Sequence, residues 1–109
     1  MATLFWLFVI LGALLCAICV PLIQRRIKPN LWYGFRVPKT IKNPDVWYPA
    51  NEYAGRALFV VGLVVMLAAS ALVLVPGITL DAYALSVAAV IAISMTIALI
   101  LSFRYLSTL

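Results

Sequence analysis

Three long stretches of the chain carry no charge, and its polar residues concentrate between and beyond them. The first runs from Thr3 to Ile23, with Gly12 and Pro21 as its only weak helix formers. The second runs from Ala57 to Val75 and stops at Pro76-Gly77; the third runs from Ala82 to Phe103 and ends at Arg104. Each is close to the ~20 residues that an α-helix needs to cross a hydrocarbon core of about 30 Å. None alternates apolar and polar positions as a barrel strand would, and a helix is the other way to satisfy a backbone in lipid. The pattern predicts an all-α, integral membrane three-helix bundle. Its spans are 3–23, 55–76 and 82–103, with an ordered cytoplasmic loop, 24–54, between helices 1 and 2.

Composition agrees. With 67% apolar and 10% charged residues among 109, the chain cannot clothe a soluble domain of this size, and it reads as one membrane domain, 1–109. The first stretch is expected to be a retained helix. It lacks a basic leader, is too long for the apolar core of a signal peptide, and has no A-x-A-like cleavage site before Arg25-Arg26.

Charge then orients the spans. Seven of the eight basic residues (Arg25, Arg26, Lys28, Arg36, Lys39, Lys42 and Arg56) lie in or beside the first connection, and Arg104 follows the third span. The 76–81 turn has one acid and no base. Basic loops remain cytoplasmic, so the expected protein is multi-pass in the cytoplasmic membrane, N-terminus outside and C-terminus cytoplasmic. Phe5 and Trp6 would mark the outer interface, Phe103 and Tyr105 the inner one.

Small residues at four-residue spacing, Ala84-Ala88-Ala92 and Ser94-Ala98-Ser102, favour close helix packing and leave room for a homo-oligomer. No span contains an acid or base, which argues against a self-contained pump or proton-coupled transporter. Cys16 and Cys19 share a helix face, but the chain has no His and no second Cys pair, so no metal site and no cofactor is expected. Packing as small apolar residues is the plainer role for these thiols.

The loop carries the remaining information. Pro29, Pro38, Pro44 and Pro49 exclude a long amphipathic helix. An extended arm, 30–40, pivoting at Gly34 is expected, followed by an Asn43 N-cap with Pro44 at the first helical position and Asp45 in the first turn. Pro49 should limit that helix to about one turn, and from Ala50 the chain should enter the second span. There Asn51 and Gly55 share a face and Glu52 pairs with Arg56.

Basic and aromatic content alone is explained by topology and by anionic lipid at the inner leaflet. The order of the residues is not. Arg36 has the planar fork suited to phosphate or carboxylate. Arg56 and Asn51 could converge on it, Gly34 would permit close backbone approach, and Trp47 and Tyr33 could wall the site. Alternatively, Arg36 forms an ion pair with Asp45 or Glu52, or caps the last carbonyls of the first helix. No catalytic residue is assigned, since there is no His, no loop Cys and no cluster that would activate a nucleophile.

The string K-P-N-L-W-Y-G-F-R-V-P-K-T, then N-P-D-V-W, then A-N-E-Y-A-G-R at the head of a membrane helix, resembles the SdpI family over about residues 28–62. These small bacterial membrane proteins are named for an immunity protein against a secreted killing peptide. The shared pattern is matched at Asn30, Gly34, Arg36, Pro38, Thr40, Trp47, Asn51 and Gly55. The protein that names the family has additional spanning helices, and this chain resembles its signature domain. The resemblance implies immunity or signalling by binding at the cytoplasmic face, with a peptide toxin or a membrane-held transcriptional repressor as partner and no direct contact with nucleic acid. The ligand-binding set so indicated is Asn30, Tyr33, Gly34, Arg36, Thr40, Trp47, Asn51, Gly55 and Arg56. Two other readings stay open: binding or carriage of an anionic-lipid head group, and a small lipid-modifying enzyme.

Overall fold

The computed structural model describes residues 1–109, and all of its regular structure is helical. The elements are α1 (Ala2–Ile23), the single turn α2 (Pro38–Ile41), α3 (Pro44–Val73) and α4 (Leu80–Leu106). At about 1.5 Å per residue, α1 is roughly 33 Å long and matches the hydrocarbon thickness, whereas α3 is roughly 45 Å and exceeds it. The surplus is the polar segment that precedes Ala57. α1, α3 and α4 are each long and apolar enough to span a membrane. They expose large apolar side chains such as Leu14, Leu67 and Ile93, as expected where lipid is the solvent.

α3 begins at Pro44 and continues to Val73, so the expected interruption at Pro49 does not occur. The start is as the sequence predicts: Asn43 is extended and its side chain accepts from the Asp45 amide at 3.0 Å. Pro49, the sixth residue of α3, lacks the N–H for one i→i−4 bond. Burial of Val46, Trp47, Ala50 and Asn51 on one side of this extension holds the helix through the proline. α4 starts before the uncharged stretch, because Thr79 caps it by accepting from the Ala82 amide at 3.1 Å.

α3 is the central element. α1 and α4 both pack against it, and they meet each other at the turn end, where Phe8 and Tyr83 stack edge to face at 6.0 Å. The α1–α3 seam is close because glycines face one another. A Cβ on Gly62 would lie 2.7 Å from the Gly12 carbonyl oxygen and 2.6 Å from Cys16 Sγ. Such approach is the usual means of helix association where water supplies no driving force. Cys16 donates to the Phe59 carbonyl at 3.4 Å, and both thiols are buried and free. On α4, Ala98 and Ser102 are buried, whereas Ala88 and Ala92 of the other small-residue series are exposed. The Tyr83 hydroxyl ties α4 to the Ala69 carbonyl of α3 at 3.0 Å.

Candidate functional site

α1 ends in a reciprocal pair of backbone bonds, Arg26 N–H to Pro21 O at 2.9 Å and Arg25 N–H to Leu22 O at 3.2 Å. This closure requires a left-handed residue, and Arg25 takes it at φ 58°. A glycine would be less strained there, but Arg25 places its guanidinium 2.8 Å from Glu52, which also meets Arg56 at 3.2 Å. The hydrogen bonds from Arg25 and then Arg56 hold the Glu52 carboxyl below its ordinary range.

From here the chain forms an arm whose polar groups are satisfied by α3 and by itself. Asn30 Oδ1 accepts from the amides of Trp32 at 2.8 Å and Tyr33 at 2.6 Å, making a tight turn. Trp47 is completely buried, and its indole N–H donates to the Ile27 carbonyl at 2.8 Å. The buried Asn51 carboxamide accepts from the Phe35 amide and donates to the Trp47 carbonyl at 3.0 Å, with the Phe35 carbonyl at 3.4 Å. Gly34, at φ 110°, makes that approach feasible: a Cβ there would lie 2.5 Å from Asn51 Oδ1. Thr40 donates to the Phe35 carbonyl at 2.7 Å and accepts from the Val37 amide at 3.0 Å, starting α2. Lys39 reaches the Leu106 carbonyl at the end of α4 at 2.9 Å.

The arm is a wedge between α1 and α4. The Tyr33 hydroxyl donates to the Ile18 carbonyl of α1, while the Phe35 ring stacks edge to face on Phe103 of α4 at 5.0 Å. Desolvation pushes the Tyr33 phenol up. Beneath the wedge lies a groove of about 520 Å³. Ile18 and Leu22 form one wall, Leu99 and Phe103 the other, Leu58 the floor, and Trp32 and Arg36 the rim. A second, apolar stretch of about 190 Å³ shares Leu15 and Ile18 with it and continues between α1 and α4 to Leu11 and Met95.

The model of the SdpI/YfhL protein family matches residues 26–105. The chain belongs to that family. No curated protein and no solved structure matches the chain. The match reaches beyond the arm through α4, so the family pattern covers both the wedge and two of the three groove-forming helices. With three apolar helices long enough to span, this is a membrane protein of the SdpI/YfhL family.

The family-like residues divide into two groups. Asn30, Gly34, Thr40, Trp47 and Asn51 hold the arm in the contacts above, and Gly55 lies under the end of α1, where a Cβ would be 3.3 Å from the Cys19 carbonyl oxygen. Tyr33, Gly34 and Arg36 border the groove. Arg36 pairs with neither Asp45 nor Glu52 and does not cap α1; it donates to the Leu31 carbonyl within its own arm and remains exposed. The expected convergence of Arg36, Asn51 and Arg56 is not present. Asn51 is spent on Phe35, and Arg56 sits beside Glu52 on a separate α3–α4 groove. Trp47 is likewise no wall of the groove, because it lies under the arm. Sequence reasoning missed Phe35, Lys39 and Arg25 as parts of this construction. The apolar walls give no sequence signal, since one leucine in a membrane helix looks like another.

Proposed function

We propose that this protein resides in the bacterial cytoplasmic membrane with its arm on the cytoplasmic side. We further propose that it serves in immunity or signalling toward a membrane-active peptide, acting by binding rather than catalysis. The observation that carries the reading is the position of Arg36. Asn51, Thr40 and Gly34 are committed to fixing the arm, and the guanidinium they position is left without a carboxylate at the rim of an apolar groove. An exposed cation held by a rigid support fits recognition. The groove lining contains no carboxylate and no imidazole to serve as a general base. The distribution of basic residues supports the orientation.

The test is a deletion strain challenged with membrane-active peptides and with supernatants of peptide-producing bacteria. The deletion should raise sensitivity to at least one of them, wild-type protein should restore tolerance, and Arg36→Ala should not. Equal tolerance in all strains across the panel would refute an immunity role.

A further inference from the structure

We infer that the α1–α4 groove is a site for one acyl chain of an anionic glycerophospholipid, with the lipid phosphate on Arg36. This rests on the reading of the Arg36 end as a binding site and names its occupant. Three features of the groove select the chemistry.

First, the two hydroxyls that line it are already engaged. The Tyr33 hydroxyl donates to Ile18 O and the Ser102 hydroxyl to Ala98 O at 2.7 Å. A peptide laid in the groove would find few partners for its backbone, whereas a hydrocarbon chain needs none. Second, both ion pairs of the protein use Glu52, so Arg36 has no carboxylate partner, and only one contact, to Leu31 O, engages its guanidinium. A cation at the mouth of an apolar slot matches an anionic head joined to an apolar tail. Third, the groove and its continuation follow α1 from Leu22 to Leu11. That is about 16 Å of helix rise, or about half of a ~30 Å hydrocarbon core. This is the depth of one leaflet, suited to a fatty-acyl chain and too short for a long isoprenoid tail. Trp32, 88% exposed at the rim, is positioned to sit among head groups beside the lipid.

Trp32 also supplies the readout. Full-length protein carrying Trp6→Phe, with Trp47 buried away from lipid, is reconstituted in nanodiscs of phosphatidylcholine. Phosphatidylglycerol or phosphatidylcholine with brominated acyl chains is then titrated in. Brominated phosphatidylglycerol should quench Trp32 at a mole fraction about tenfold lower than brominated phosphatidylcholine, because both offer a phosphate to Arg36 but the choline cation of the latter offsets the attraction. Arg36→Gln should abolish the preference at unchanged helical circular dichroism, and Ile18→Phe, which narrows the slot, should reduce quenching by both lipids. Equal quenching by the two lipids in wild type, or a preference that survives Arg36→Gln, overturns the inference. So does native mass spectrometry that finds a prenyl phosphate or a peptide retained in place of phosphatidylglycerol. If wild type shows no lipid preference while Arg36→Gln loses peptide tolerance, the lipid falls and the binding reading stands. If wild type prefers phosphatidylglycerol, and Arg36→Gln loses that preference yet keeps full peptide tolerance, the lipid stands and the immunity role of Arg36 falls.

Discussion

The carboxamide of Asn51 meets both backbone polar groups of Phe35, sixteen residues away, and so acts as a one-residue strand partner for the arm. The same side chain donates to Trp47 O, which leaves little tolerance for another residue. An arm rich in proline and glycine has no regular structure to satisfy it, and a buried partner in α3 supplies what a sheet neighbour would.

Asn51→Ala should therefore free the arm without unfolding the spans. Leaving the Phe35 amide unpaired costs about 1–3 kcal/mol, while the Phe35 carbonyl keeps its bond from Thr40. Hydrogen exchange of residues 31–37 should accelerate by at least tenfold, while exchange within α3 beyond Ala57 stays slow. Asn51→Asp can still accept from the Phe35 amide but cannot donate, and should be intermediate or worse.

Gly34→Ala should have a similar local effect by another route. A left-handed φ costs a side chain about 1–2 kcal/mol, and the new methyl would press on Asn51 Oδ1. Limited proteolysis should cut the arm faster in this variant, at unchanged helical content.

Gly62→Leu should open the α1–α3 seam, since even a methyl there overlaps the Gly12 carbonyl and Cys16 Sγ. Overpacking of this kind costs about 1–3 kcal/mol or more. Thermal unfolding in detergent should fall by several degrees, and the buried Cys16 should become reactive to maleimide on the native protein.

Glu52 gives a pH-dependent contribution with a definite sign. Its folded carboxyl titrates below the ordinary Glu value, so its stabilisation is complete above that value, about 4.3. The contribution is lost as the pH falls through the lowered folded value. The difference in melting temperature between wild type and Glu52→Gln should shrink over that acid window. It should be small throughout, because both guanidiniums are exposed and surface pairs contribute at most about 1 kcal/mol.

The proposed orientation is read by labelling single cysteines in a Cys16→Ala, Cys19→Ala background. In intact cells an impermeant maleimide should modify Ile78→Cys and spare Ser107→Cys until the membrane is opened. The opposite pattern would place the arm outside.

The sequence by itself determined the three spans, the N-cap at Asn43, the Glu52–Arg56 pair and the concentration of charge at one end. These depend on single segments in contact with a uniform apolar solvent, or on neighbours one helical turn apart, so local pattern is enough. The survival of α3 through Pro49, the wedge of Tyr33 and Phe35 between α1 and α4, and the isolation of Arg36 from every carboxylate were decided only by tertiary structure. Each depends on a partner far along the chain: buried contacts under Trp47, the Ile18 carbonyl, the Phe103 ring, and Arg25 occupying Glu52. Residue order placed Arg36 among the interesting positions, but only the packing of three helices around the arm put a groove beneath it.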